Sequence, residues 1–130
     1  MGQRRVLIVE DEPDNQEIVR AVVEDIIGCS ATLACDGLEA ISKAREDPPA
    51  LVLLDLMLPK MDGYEVARLL RQEDGTRRVP IIAITALARP SDRIKAMESG
   101  CNDYVDKPFD LEALEQKIRA RVFLSEEGSV

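Results

Sequence analysis

The stretch Leu51-Val52-Leu53-Leu54-Asp55 decides the fold, because four aliphatic residues run straight into a carboxylate. An unbroken apolar run without polar alternation reads as a strand covered on both faces, as in a parallel sheet sandwiched between helices. Comparable runs lie at Val6-Leu7-Ile8-Val9, Ala31 to Cys35, Ile81-Ile82-Ala83-Ile84 and, weakly, Tyr104-Val105. A carboxylate at a buried strand end is costly without a partner, so Asp55 reads as more than a strand terminus.

Helical patterns alternate with these runs. Ile18, Val22 and Ile26 form one row at helical spacing, and Val19, Val23 and Ile27 form the next. Pro13 suits the start of that helix and Gly28 its end. Leu38, Ile41 and Ala44 suggest a second helix, stopped by Pro48-Pro49, and Val66, Leu69 and Leu70 a third. A fourth starts near Pro90-Ser91, carries Ile94 and Met97, and stops at Gly100. Asp110 caps a fifth, with Leu111, Leu114, Ile118 and Val122 on one face.

Five β-α units in series imply an α/β, doubly wound, five-stranded parallel sheet. The second and fifth runs are the least apolar, and Asp103 and Asp106 flank the fifth. Weak, charged strands belong at sheet edges, which suits the flavodoxin-like (βα)5 strand order 2-1-3-4-5. The 130 residues fit one domain, expected over 1–124, with a polar C-terminal tail over 125–130. No internal repeat, linker or low-complexity segment interrupts it.

Composition narrows the function. The chain is 45 % hydrophobic and 32 % charged, lacks Trp, and holds two Tyr and two Phe, so the core must be aliphatic. Its net charge of −8 opposes direct contact with nucleic acid or an anionic membrane surface. A DNA-binding domain elsewhere in the assembly stays open. Cys29, Cys35 and Cys101 lack CxxC spacing, and with no His to complete a zinc set they read as free buried thiols in a reducing compartment. Neither a signal-peptide core, a myristoylation motif nor a membrane-length run occurs, so a cytoplasmic protein is expected.

Ligands in such sheets bind beyond the carboxyl ends of the strands. There the sequence sets Glu10-Asp11 after strand one, Asp55 after strand three, Thr85 after strand four and Lys107 after strand five. An all-oxygen set without His favours a hard cation, Mg²⁺ before Ca²⁺. Thr85 and Lys107 suit the remaining oxygens of a phosphoryl group, and the carboxylate of Asp55 the nucleophile. Each piece has a plainer reading. Glu10 to Asp14 is also an acidic helix start, Met61-Asp62-Gly63 a turn, Thr85 a strand residue and Lys107-Pro108 a loop. Their joint placement at successive strand ends is the rarer coincidence.

With those residues in view, the chain resembles the response-regulator receiver family from about Arg5 to Phe123, through VLIVEDEPDN, LVLLDLMLPKMDGYE, IIAITA and NDYVDKPF. The resemblance implies that Glu10 and Asp11 hold Mg²⁺, with Asp11 the direct ligand, and that Asp55 is both phosphoacceptor and metal ligand. It implies that the backbone carbonyl of Met57 completes the metal set and that Thr85 and Lys107 bind the phosphoryl group. Tyr104 resembles the family's switch aromatic, and Lys107-Pro108 its cis peptide. The implied partners are a histidine kinase or histidine phosphotransfer protein, then a downstream effector or a second copy, through the face of helix four, strand five and helix five. A chain without His cannot supply a phosphohistidine itself, so the donor is expected to be another protein or a small phosphodonor. Met57 and Leu87 stand at variable, here apolar, positions expected to prolong the phosphoryl lifetime.

Two rivals compete. A haloacid-dehalogenase-type phosphohydrolase needs a second Asp two residues after its nucleophile, where this chain has Met57. A flavin carrier needs a hydroxyl- and glycine-rich loop after strand one, where Glu10-Asp11-Glu12 would repel a phosphate. Both a free-standing regulator and a module of a longer response regulator or hybrid kinase fit the sequence.

Overall fold

The computed structural model describes residues 4–86 and 89–127. Its elements run β1 (Arg5–Val9), α1 (Pro13–Ala21, continued by a π-helical segment, Val22–Ile27), β2 (Ser30–Ala34), α2 (Gly37–Glu46), β3 (Leu51–Asp55), α3 (Gly63–Gln72), β4 (Ile81–Thr85), α4 (Pro90–Ser99), β5 (Asp103–Asp106) and α5 (Leu111–Glu127). All strands are parallel in the order β2-β1-β3-β4-β5, the expected α/β arrangement with β2 and β5 at the edges. Leu87 and residues 128–130 of the expected tail lie outside the described residues.

The central strands need both faces covered, because β3 and β4 are buried along their whole length. Alternation along each strand divides the core. Leu7, Val9, Val52, Leu54, Ile81 and Ala83 face α2, α3 and α4, while Val6, Ile8, Leu51, Leu53, Ile82 and Ile84 face α1 and α5. Local chemistry sets the helix ends. Pro13 opens α1 and Gly28 closes the π segment at φ 88°, a left-handed conformation that favours glycine. Asp36 and Asp62 cap α2 and α3 by accepting from the backbone N–H of Glu39 and Glu65. Asp110 Oδ1 likewise accepts from the Glu112 and Ala113 N–H groups.

Several side chains differ from their expected placement. The π segment winds more loosely than an α-helix, so the row breaks within it: Val22 and Val23 enter the core while Ile26 is exposed. Ile18, ahead of it on α1, is exposed beside the buried Val19. Leu38 and Leu111 sit in the first turns of α2 and α5, turned to solvent. Helix α4 is inverted: Ile94 and Met97 are exposed while Asp92, Ala96 and Ser99 are buried. Asp92 is held there by Arg89 at 2.9 Å. Strand β2 ends at Ala34, so Cys35 falls outside the sheet and is exposed, against the expectation of three buried thiols, while Cys29 and Cys101 are buried. No helix among the described residues is long and apolar enough to cross a membrane.

Candidate phosphoacceptor and metal site

The neighbours β1, β3 and β4 bring their carboxyl ends to one rim, and with them Glu10, Asp55 and Thr85. Glu10 and Asp55 are among the few buried charged residues, at 0 % and 3 % exposure, and Thr85 is also buried. Asp11, one residue beyond Glu10, is exposed. Carboxylate oxygens of Glu10, Asp11 and Asp55 all lie within 4.8 Å of one another. The expected site residues on strands one and three thus converge.

Lys107 completes the cluster from the loop after β5. Its Nζ lies 3.0 Å from Glu10 Oε1 and 3.0 Å from Asp55 Oδ2, tying the two buried carboxylates together. Backbone bonds steer it there: the Lys107 N–H donates to the Thr85 carbonyl at 2.8 Å, and the following Lys107-Pro108 peptide is cis, as the resemblance implies. The other carboxylate oxygens are also held. Glu10 Oε2 accepts from the Glu12 N–H at 3.0 Å, and Asp55 Oδ1 from the Met57 N–H at 2.9 Å. Burial pushes the Glu10 carboxyl above the ordinary range, and the nearby Asp55 charge adds to it, against the Glu12 amide and Lys107. Burial would lower the Lys107 ammonium, but its bonds to Glu10 and Asp55 outweigh burial and raise it.

Three clustered carboxylates, one facing solvent, fit a hard divalent cation: the donors are all oxygens and one side of the group is open. Met57 leaves the strand with its side chain exposed.

Two supporting residues carried no site signal in the sequence. Gly63 reads as part of a turn, yet a Cβ there would sit 2.5 Å from Leu56 Cα and 2.6 Å from the Asp55 carbonyl oxygen. Only glycine lets the start of α3 press against the strand end that carries Asp55. The side-chain amide of Gln16 donates to the Glu10 carbonyl at 2.6 Å, bracing the turn between β1 and α1.

Tyr104 lies half-buried on edge strand β5, paired in register with Ala83 and not with the acidic rim. The Arg93 guanidinium lies 4.3 Å from its ring centroid and Lys117 Nζ 5.6 Å.

A 2-1-3-4-5 parallel sheet whose carboxyl rim gathers an acidic trio and a lysine is the architecture of a two-component signalling domain. The chain belongs to the response regulator receiver domain family, which it matches over residues 6–119. It is 38 % identical over 116 residues to the DNA-binding dual master transcriptional regulator RpaA of Synechocystis, covering 89 % of this chain and 48 % of that protein. It is also 38 % identical over 110 residues to an uncharacterized 14.6 kDa protein of Leptolyngbya boryana, covering 85 % of this chain and 83 % of that one. Among solved structures it resembles the receiver domain of a sensor histidine kinase from Pseudomonas aeruginosa that holds a coordinated magnesium ion. That match has 37 % identity and a TM-score of 0.85, covering 95 % of this chain and 99 % of that one. The chain spans about half the length of the transcriptional regulators it matches.

Proposed function

We propose that Asp55 accepts a phosphoryl group from a phosphohistidine on a histidine kinase or histidine phosphotransfer protein, and that the change is passed to a partner in the cytoplasm. The observation that carries this reading is a nearly buried carboxylate, Asp55, held by Lys107 beside two further carboxylates at the sheet's carboxyl rim. Glu10, Asp11, Asp55 and the backbone carbonyl of Met57 would hold Mg²⁺. When bound, that ion neutralises the crowded carboxylates and draws charge from the phosphoryl oxygens.

The chain's own groups do the rest. A carboxylate oxygen of Asp55 forms a bond to phosphorus while the P–N bond breaks. The electron pair leaves on the imidazole nitrogen, which takes its proton from solvent. Lys107 is already aimed at Asp55 and meets the charge on the transferred group, with the Thr85 hydroxyl on a neighbouring strand end as a second donor. Motion of Thr85 toward the phosphoryl group frees space into which Tyr104 turns, changing the face of α4, β5 and α5. An effector or a second copy of the chain reads that face; neither nucleic acid nor membrane does so directly.

The test is intact mass after incubation with acetyl phosphate and Mg²⁺. One phosphoryl adduct is expected, absent from Asp55→Asn; an adduct that persists at full yield in that variant defeats the assignment.

A further inference from the structure

Tyr104 is held from two sides by charge. Arg93, on α4, lies over the ring at 4.3 Å, and Lys117, on α5, reaches it at 5.6 Å. Each cation is tethered to an acid flanking the tyrosine on β5: Arg93 Nη2 to Asp106 Oδ2 at 3.2 Å, and Lys117 Nζ to Asp103 Oδ1 at 2.8 Å. Asp103 Oδ1 also accepts the backbone N–H of Tyr104 at 2.8 Å. The Arg93 Nε–H is buried with no acceptor among the described residues. The ring and Asp106, not a full set of hydrogen bonds, therefore set where the guanidinium sits. Nothing else in the chain couples α4 and α5 across the β5 edge in this manner among the described residues.

We propose that Arg93 and Lys117 form a latch on Tyr104: positioning residues that hold the ring outward and so fix how readily the phosphoacceptor site switches. This deepens, and rests on, the phosphoacceptor reading. A cation over an aromatic face is attracted by the ring quadrupole, and turning the ring inward forfeits both contacts. Each exposed contact of this kind shifts an equilibrium by about two- to fivefold. Coupling is reciprocal, so a ring released toward the inward position makes the site correspondingly easier to phosphorylate. The acids tune the latch: Asp106 and Asp103 keep the cations over the ring while drawing part of their charge.

The chain has two tyrosines and no tryptophan, which makes the ring observable. The full chain is labelled with 3-fluorotyrosine, and Tyr64→Phe assigns the Tyr104 fluorine resonance. Beryllofluoride with Mg²⁺ marks the resonance position of the switched state. Without any phosphodonor, Arg93→Gln and Lys117→Gln are each expected to move Tyr104 toward that position by about two- to fivefold in population. The equilibrium affinity for beryllofluoride with Mg²⁺ should rise by a similar factor, with Arg93→Lys restoring both. A Tyr104 resonance that stays put in both glutamine variants overturns the latch. So does a moved resonance with unchanged beryllofluoride affinity in a protein that still forms the Asp55 adduct. If the wild-type chain forms no adduct at all, the phosphoacceptor reading falls, and the latch is judged by the fluorine signal alone.

Discussion

Lys107→Met should make the metal-free protein markedly less stable, and more so as pH rises. The wild-type ammonium lies 3.0 Å from one oxygen of each buried carboxylate. At an effective dielectric of 20, each contact amounts to about 5.5 kcal/mol before desolvation. Lost hydration of Lys107 returns much of that, and removing one partner of a buried ion pair costs about 3–5 kcal/mol in practice. The lower end applies, since the Lys107 side chain is still 19 % exposed. For a domain of this size, about 3 kcal/mol corresponds to a fall of roughly 10–15 °C in melting temperature. The pH dependence follows from Glu10, whose carboxyl is already pushed up by burial and would rise further without the ammonium. A carboxyl raised above its unfolded value of 4.5 contributes stability below that value and loses it as pH climbs through the folded value. The deficit should therefore be smallest near that unfolded value and largest at neutral pH. Thermal melts in EDTA across that range, with and without added Mg²⁺, measure it, and Mg²⁺ should recover part of the loss. A variant that melts within about 2 °C of wild type at neutral pH in EDTA would refute this account of the cluster.

Four further outcomes are expected. Asp11→Asn removes repulsion without breaking an ion pair, so it should raise the melting temperature in EDTA by about 2–4 °C and weaken Mg²⁺ binding in a calorimetric titration. Gly63→Ala should cost about 1–3 kcal/mol in urea unfolding, because its Cβ would meet backbone and not a flexible side chain. At pH 8 a maleimide should label Cys35 quickly and Cys29 and Cys101 only after unfolding; burial pushes the Cys101 thiol up to about 11, leaving almost no thiolate. Amide exchange should be roughly tenfold or more faster in α4 than in α3, since α4 buries no large side chain whereas α3 buries Tyr64, Val66 and Leu70.

The strands were legible because continuous aliphatic runs have one natural environment in a doubly wound sheet. The rim followed from them, since each strand's last residue is a sequence position: Asp55, Thr85 and the pair Glu10-Asp11 needed no geometry beyond strand order. Other features were hidden for physical reasons. Periodicity tells which helical residues share a face, but not which face meets the sheet. That is why Ile94 and Met97 pointed to the wrong side of α4. The burial of Asp92 depends on Arg89, and Ser99 donates to the Lys95 carbonyl at 2.8 Å. Local partners of that kind let a polar face go inward. The π segment after α1 leaves no compositional mark, so Ile26 read as core. Lys107 was placed at the rim, but its bridging of Glu10 and Asp55 depends on side-chain reach. The clustered carboxylates are partly neutralised by the chain itself, through the Lys107 ammonium.

Helix α4 is held unlike its neighbours, and this bears on how a signal would leave the site. Helix α5 sinks Leu114, Ile118 and Val122 completely, and a fully buried aliphatic side chain of that size contributes about 1.5–3 kcal/mol. From α4 only Ala96 enters the apolar core. The bonds that excuse its buried polar groups, Arg89 with Asp92 and Ser99 with the Lys95 carbonyl, lie within the helix or its first turn. They would travel with it if it shifted. Among the described residues, the ties that leave α4 are few and peripheral: Lys95 over the Tyr64 ring at 4.3 Å, Arg68 donating to Ser99 at 3.2 Å, and Arg93 over Tyr104 with its Asp106 partner. A two-state surface needs alternatives separated by only a few kcal/mol. Moving α5 would expose a whole apolar row and exceed that gap. Moving α4 exchanges one alanine and a handful of surface contacts. The helix with the least apolar anchorage thus follows the strand that ends in Thr85 and borders the edge that carries Tyr104, where a small push from the acidic rim would change what a partner meets at the least cost.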